Sequence, residues 1–591
     1  MNEYFDTVLS LCGQRWRLRS YDELQSLAIS QKFNLPLTLS NLLVSRGITV
    51  EKAGDFLSPT LKRLLPNPAF FKDLNKTVER LIIALERNHK IVIFGDYDVD
   101  GATSSAVLYR YLKEVGGDIF IYIPDRMKEG YGPNIPAFLN FSKQGIKLIV
   151  TVDCGTTSFE PLQQAKTLGI DVIVIDHHVP EDSLPPAYAI LNPNRLDESG
   201  AYNYLAAVGM CFILLVGLNQ RLREKGFFQH KPEPDLMSLL DLVALGTICD
   251  VMPLKDLNRA FVVQGLKVMK ARRNLGLKAL MDVAAIHEAP SPYHLGFILG
   301  PRVNAGGRVG QADLGATLLT TENSTEAERI AYTLNNFNQM RQEIEQEVLM
   351  QAVSQAEKQA NPILICQGRN WHQGVIGIVA SRLKERFFRP TLIISVNDEG
   401  IGKGSGRSVS GLNLGALIHA AKQKGLLMEG GGHAMAVGFV LDIHNIQAFE
   451  EFLNEQIQSS PFDLTPELVI DGHLTLKGAL NKFVENLNLL GPYGQGNPSP
   501  RFLFENLSVV STGIVGKEHI KCVLFDEDNT RVTGISFRSL QTPLGETLLR
   551  SQGEKLHIVG SLKINSWQGE ECVQLIVEDA MWARALLRKV S

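Results

Sequence analysis

From about residue 76 onward, short apolar runs alternate with helix-spaced segments. Residues 90–94 (Lys-Ile-Val-Ile-Phe) stop at Gly95, and the spacing over 102–114 predicts a helix behind them. Residues 146–152, stopped by Cys154 and Gly155, repeat the pattern, and 171–175 repeat it again. Apolar runs of this length between helices predict a parallel sheet buried on both faces, so this part reads as an α/β unit. Ligands of such sheets bind beyond the carboxyl ends of the strands. The polar residues of the segment collect there.

Other stretches read differently. Residues 1–75 predict short helices ending in the proline-marked stretch 59–68. Residues 322–360 carry few glycines or prolines and are rich in Glu, Gln and Ala, which predicts one long helix between two lobes. A second, smaller α/β unit occupies 361–460, with three glycine-rich stretches read as loops. Residues 459–466 (Ser-Ser-Pro-Phe-Asp-Leu-Thr-Pro) look like a linker. Beyond it, 467–591 shows short alternating runs at 508–512, 531–535 and 556–559, the pattern of a small closed β-barrel with the oligonucleotide-binding fold as leading candidate. The expected division is therefore 1–75, 76–321, 322–360, 361–460 and 467–591.

Composition narrows the classes. At roughly 150 residues per domain, 591 residues give about four domains. Hydrophobic content of 45% and charged content of 21% exclude a disordered or collagen-like chain. Fifty-nine basic against 63 acidic side chains, net −4, argue against a general polyanion binder and leave room for a local basic groove. The seven cysteines are scattered without a CxxC pair, as expected of reduced thiols without structural zinc. The N-terminus has no basic start followed by an apolar stretch, and the most apolar run, 206–218, falls short of the roughly 18 residues that span a bilayer. A soluble, cytoplasmic protein without membrane association is the expectation.

The chemistry concentrates in acidic residues behind the apolar runs. Gly95-Asp96-Tyr97-Asp98-Val99-Asp100-Gly101 sets three carboxylates within five residues, which repel one another unless cations lie between them. An EF-hand is excluded, because no Glu closes a twelve-residue loop. Asp153, Asp176 (before His177 and His178) and Asp250 each follow an apolar run read as a strand. One such Asp is ordinarily a helix cap; four in one unit, with an adjacent His pair, point to a metal centre. Carboxylate and imidazole together suit Mn²⁺ or Mg²⁺, and two such ions can serve phosphoryl transfer. In the second unit Ser405, Gly406 and Arg407 read as a compact anion nest. Arg302 and Arg308 flank a loop rich in Gly and Asn, Gly430 to His433 would allow close backbone approach, and Trp371-His372 would either stack a base or cap a core.

On these motifs, Gly95–Gly101, Asp153, Asp176-His-His178 and Gly246-Thr-Ile-Cys-Asp-Val-Met-Pro-Leu254, the chain resembles the DHH phosphoesterase superfamily. Gly300-Pro-Arg-Val-Asn-Ala-Gly-Gly-Arg308, the Trp371 to Arg382 stretch, Gly404-Ser-Gly-Arg-Ser408 and Gly430-Gly-Gly-His433 narrow the resemblance to the RecJ family of single-strand-specific exonucleases, in the family's order and over nearly the whole chain. The resemblance implies a two-lobed core, 76–321 catalytic and 361–460 a DHHA1-type substrate-binding domain, and two Mn²⁺ or Mg²⁺ ions. It implies metal ligands Asp98, Asp100, Asp153, His177 and Asp250, with Asp153 as the bridge. It makes His178, Asp96 and Asp176 catalytic, with His178 meeting the phosphate. It implies substrate contacts from Arg126, Arg302, Asn304, Arg308, His372, Ser405, Arg407, Gly431, Gly432 and His433. The implied activity is 5′-to-3′ hydrolysis of single-stranded DNA in repair and recombination, beside a single-strand-binding protein and a recombination helicase. Some relatives carry a His where this chain has Phe94, which predicts a first metal site short of one nitrogen. Two other readings stay open: a DHH phosphodiesterase for short RNA or cyclic dinucleotides, and a replication scaffold with a dead core. Length speaks against the first and the retained carboxylates against the second. Because the candidate ligands lie before 251 and the glycine-rich stretches before 434, the sequence also predicts that the chemistry needs nothing beyond the linker.

Overall fold

The computed structural model of the chain describes residues 8–125, 128–459, 465–551, 553–567 and 570–583. Five of the eight linker residues, 460–464, lie outside them. The chain forms two compact units. One comprises residues 51–341 with 492–498, the other the remainder.

The first unit is built on five parallel strands, β1 (Ile91–Gly95), β2 (Ile119–Tyr122), β3 (Leu148–Val152), β4 (Asp171–Ile175) and β5 (Ala189–Leu191). Their order is β2-β1-β3-β4-β5. Side chains alternate between two apolar layers, which explains the unbroken apolar runs. Ile91, Ile93, Val150 and Ile175 face the core shared with helices α1 (Val99–Glu114), α2 (Ala207–Glu224) and α3 (Leu240–Cys249). Val92, Phe94, Ile149 and Val174 face Phe138, Phe141 and Leu162 on the other side. The strand order reverses direction between β1 and β3, and in open α/β sheets that switch point opens a crevice at the strands' carboxyl ends.

Two sequence expectations change here, and one holds. The run ending at Cys249 is α3, not a strand, so Asp250 stands at a helix C-terminus. Residues Leu240 to Thr247 are buried all round, and a helix buried on every side shows no period that would separate it from a buried strand. The stretch around Arg302 and Arg308 is likewise no loop but helix α4 (Gly300–Val309). The long helix is present as α5 (Ser324–Ala356), 33 residues.

The second unit holds a mixed sheet of β6 (Leu364–Arg369), β7 (Thr391–Val396), β8 (Ile401–Arg407), β9 (Glu429–Gly432) and β10 (Ala436–Asp442), in the order β9-β10-β8-β7-β6, with helices α6 (Gln373–Phe387) and α7 (Leu414–Gln423). It also holds the barrel: β11 (Phe502–Val515), β12 (His519–Phe525), β13 (Arg531–Ser536), β14 (Lys555–Trp567) and β15 (Glu570–Trp582). Pairing runs β11-β12-β13-β15-β14 and returns to β11, so five strands close on themselves. The N-terminal segment is not purely helical, because Arg15–Leu18 forms a strand parallel to Glu467–Ile470. Trp16 packs there with Leu503, Val559 and Met581, and its ring N–H donates to Asp579 Oδ2 at 2.9 Å.

Candidate metal centre

The acidic turn Asp96 to Gly101 joins β1 to α1 at the switch point. Asp98 caps α1 by accepting from the Gly101 N–H at 3.1 Å. The turn is tight enough that a Cβ on Gly101 would lie 2.4 Å from the Asp96 carbonyl oxygen. Asp100, one residue into α1, points inward, and its two oxygens accept from Ala207 N–H (2.7 Å) and Val208 N–H (3.0 Å) at the N-terminus of α2. Free N–H groups at a helix start favour a carboxylate. Burial and Asp98 nevertheless push Asp100 up to about 7.

Asp153 follows β3 with φ +59, a left-handed conformation that Asp tolerates better than most residues. Asp176 and His177 follow β4. Asp250 ends α3 in a Schellman arrangement: the Val251 N–H donates to the Ile248 carbonyl and the Met252 N–H to the Thr247 carbonyl, both at 3.1 Å. Val251 takes the left-handed position, φ +57, where glycine is usual. For a residue with a Cβ this costs about 1–2 kcal/mol.

These residues converge. His177 Nε2 lies 3.2 Å from Asp153 Oδ1, 3.4 Å from Asp250 Oδ2 and 3.9 Å from Asp100 Oδ2. Candidate ligand atoms within 4.8 Å of one another form three groups: Asp96, Asp98 and Asp153; Asp100, His177 and Asp250; Asp153, His177 and His178. Asp153 and His177 each belong to two of them. Among the described residues, Asp153 Oδ1, His177 Nε2 and Asp250 Oδ2 are buried without a hydrogen-bond partner. Burial, with the neighbouring carboxylates, pushes Asp153 and Asp250 well above the usual carboxylate range. Burial and the adjacent His178 hold His177 down near 4, so its ring is neutral and its nitrogen free to ligate. Buried, mutually repelling oxygens around a neutral imidazole fit a hard divalent cation such as Mn²⁺ or Mg²⁺.

The neighbouring pair behaves oppositely. His178 Nδ1 lies 2.7 Å from Asp176 Oδ1. Burial lowers the pKa of His178, but the Asp176 carboxylate overrides it and lifts the ring to about 9. Burial would raise Asp176, yet the hydrogen bond and charge of His178, with the Thr156 N–H, hold it below the usual range. An ionised pair results, with a cationic imidazole at neutral pH.

Phe94, where a His stands in some relatives, is buried among Tyr122, Phe138 and Cys154. Candidate ligand atoms of Asp96, Asp98 and Asp153 lie within 4.8 Å of one another, with no imidazole in that group. Arg302 and Asn304 lie on α4, where Arg302 donates to the Ile298 carbonyl and Asn335 Oδ1. Arg308 ends the same helix, which approaches the acidic turn so closely that a Cβ on Gly307 would meet Tyr97 at 3.0 Å. Arg126 lies outside the described residues.

In the second unit, Ser405 and Arg407 are on β8, a strand paired on both sides, so the expected nest of free backbone N–H groups is not formed. What they offer is a hydroxyl and a guanidinium, with Arg407 Nη1 3.2 Å from Ser405 Oγ. Trp371 is core: it is buried against Val375 and Ile393 and donates to Gln351 Oε1. His372 caps α6, its Nδ1 accepting from the Gly374 N–H at 3.1 Å. Gly431 and Gly432 on edge strand β9, with His433 in the turn after it, are exposed.

Sequence reasoning missed the supports. The Tyr131 hydroxyl donates to the Asp153 carbonyl at 3.2 Å, and its ring meets His178 edge-on. Asn192 donates to the His178 carbonyl at 2.8 Å and Asn194 to that of His177. Asn-Pro-Asn directly after β5 is the signal that marks them, polar residues at a strand's carboxyl end.

Comparison with known proteins agrees with this geometry. Residues 90–247 match the model of the DHH family N-terminal domain, 360–459 that of the DHHA1 domain and 470–579 that of the RecJ OB domain. The chain is 35% identical to the single-stranded-DNA-specific exonuclease RecJ of Escherichia coli, covering 96% of this chain and 98% of that protein. It is 33% identical to the same-named protein of Bacillus subtilis, covering 96% and 70%. The crystal structure of RecJ in complex with Mn²⁺ from Thermus thermophilus superposes with a TM-score of 0.81 at 29% identity, over 96% of this chain and 79% of that one. Its Mg²⁺ counterpart gives 0.74 at 27% identity, over 96% and 78%. Full-length identity above 30%, three domain models in order and a carboxylate–imidazole cluster at the sheet's switch point establish that the chain belongs to the RecJ family.

Proposed function

We propose that this chain is a metal-dependent exonuclease that degrades single-stranded DNA from its 5′ end, releasing 5′-mononucleotides, in DNA repair and recombination. The observation that carries the reading is the convergence of buried, partnerless Asp153, His177 and Asp250 atoms beside Asp98 and Asp100. Asp98, Asp100, Asp153, His177 and Asp250 would hold two Mn²⁺ or Mg²⁺ ions; Asp153 and His177 each belong to two ligand groups, and of the two the Asp153 carboxylate, with two oxygens to offer, is the one suited to bridge. When bound, such ions polarise a phosphoryl group and acidify water. His178, held cationic by Asp176, offers its other ring N–H to a phosphate oxygen. Asp96, beside Asp98 and Asp153, accepts a proton.

Arg302, Asn304 and Arg308 serve the phosphodiester backbone, and so does Arg126. Ser405 and Arg407 take the terminal 5′ phosphate, and Gly431, Gly432 and His433 let a strand approach the backbone closely; His372 stands near the start of α6 in the same role. In this reading 76–321 carry the chemistry, 361–460 hold the end and 467–591 add grip on longer strands. A single-strand-binding protein and a recombination helicase are its partners in the cytoplasm; among the described residues, no helix is long and apolar enough to cross a membrane.

The test is full-length protein with Mn²⁺ on 5′-labelled single-stranded DNA, duplex DNA, a two-nucleotide RNA and a cyclic dinucleotide. Single-stranded DNA is expected to be degraded roughly 100-fold faster than the others, a discrimination of about 3 kcal/mol. Preference for either small substrate would replace this reading with the short-oligonucleotide one.

A further inference from the structure

The chain re-enters the metal-bearing unit far along its sequence. Residues 492–498 belong to that unit, while the chain through Gly491 and from Ser499 does not. They form a turn closed on itself: Gly494 and Asn497 exchange backbone hydrogen bonds of 2.9 and 3.1 Å. The Asn497 side chain, 2% exposed, donates to the Pro492 carbonyl at 3.0 Å.

This turn sits on the residues that follow Asp250. The Gln495 carbonyl accepts from the Leu254 N–H at 2.8 Å. A Cβ on Gly494 would lie 2.8 Å from the Leu254 side chain, and one on Gly496, at φ +73, 3.1 Å from that of Pro253. Buried Arg259 reaches the Pro492 carbonyl at 3.4 Å and the Phe56 carbonyl at 2.7 Å. Only Val251 and Met252 stand between Asp250 and this anchorage. Val251 is left-handed, φ +57, and its side chain is 64% exposed, so its own packing does little to keep it there. A β-branched residue leaves that conformation readily unless its surroundings fix it.

We propose that the 492–498 turn is a positioning element for the metal ligand Asp250. By clamping Pro253 and Leu254 it fixes the end of α3, which keeps Asp250 Oδ2 facing His177 Nε2. The role rests on the metal reading above. Supports of this kind set ligand orientation, and losing one typically costs about 10- to 100-fold in metal affinity.

Two full-length variants test it. Gly496→Val puts a branched side chain where φ and the clearance to Pro253 oppose it. Asn497→Ala opens the turn from within by removing atoms only, and keeps the test alive if the first variant does not fold. Mn²⁺ binding, followed by calorimetry and by the paramagnetic signal of free Mn²⁺, is expected to weaken about 10-fold or more at one site and to stay within about 2-fold at the other. Adding Val251→Gly lets the helix end hold its left-handed residue unaided, and is expected to restore most of the lost affinity, a rescue that general destabilisation would not give. Unchanged Mn²⁺ affinity in both variants, or a loss that Val251→Gly does not recover, overturns the clamp alone. Wild-type protein that takes up no Mn²⁺ overturns the metal reading itself.

Discussion

Burial pushes Asp153, Asp176 and Asp250 all upward, and what faces each carboxylate decides the outcome. Asp176 meets an imidazolium and stays ionised; Asp153 and Asp250 meet other carboxylates and are pushed up. Asp241, in the first turn of α3, gives the same effect away from the ligand cluster. Burial lifts it from 3.8 to about 6, opposed only partly by the Leu242 N–H and by Arg110. Because its folded pKa is the higher one, its protonated form favours the folded state at low pH, and this contribution is lost as pH rises from about 4 through 6. Two pKa units correspond to about 3 kcal/mol. Asp241→Asn is therefore expected to gain about 1–3 kcal/mol at pH 7.5 and nothing at pH 4 in denaturant titrations; an equal change at both would refute the burial argument. Single residues were legible where chemistry has few alternatives, as in three aspartates within five positions. The packing of Phe94 was not: its ring belongs to an aromatic core that only the paired strands reveal.

Elements were legible where length and period agree, as for β1, β3, β4 and α5. They failed where glycine was taken for a loop. Gly402, Gly404 and Gly406 recur at the period of a strand, and a Cβ on each would strike Ile394, Phe439 or Leu392. They mark close packing inside β8, and the intervening Lys403, Ser405 and Arg407 share the other face. Gly377 of α6 admits this pair, since a Cβ there would lie 3.0 Å from Ser405 Oγ and 3.1 Å from Arg407 Nη2. A fixed guanidinium beside a hydroxyl suits a terminal phosphate, which carries more charge than an internal diester. Arg407→Ala is expected to slow hydrolysis of 5′-phosphorylated strands about 10-fold or more, with a much smaller effect on 5′-hydroxyl strands and on strand binding. Equal losses on both ends would move the end-binding role to Arg302 and Arg308.

At the scale of the whole molecule, linear order misleads. Ligands before 251 suggested chemistry independent of everything past the linker. Three-dimensional contacts cut across that order, because 492–498 packs on the segment after Asp250 and Glu467–Ile470 pairs with Arg15–Leu18. Contacts hundreds of residues apart leave no periodic trace, so no pattern in the sequence announces them. A chain cut after 460 loses the 492–498 contacts to the segment after Asp250 as well as the barrel, so full-length variants are the cleaner test. The central claim is that the cluster around Asp153 performs metal-dependent hydrolysis of single strands. The measurement that tests it most directly is the rate of 5′-mononucleotide release from single-stranded DNA across a Mn²⁺ titration, for full-length wild type and Asp153→Asn. Asparagine tolerates the left-handed backbone at 153, so the fold is preserved while the carboxylate is removed. Wild-type turnover is expected to saturate with Mn²⁺ and to stop with chelator. The Asp153→Asn protein is expected to melt no lower than wild type without metal and to retain less than about 1% of the rate. Turnover that persists in chelator, or a folded Asp153→Asn protein keeping more than about 10% of the wild-type rate at saturating Mn²⁺, would contradict the central claim.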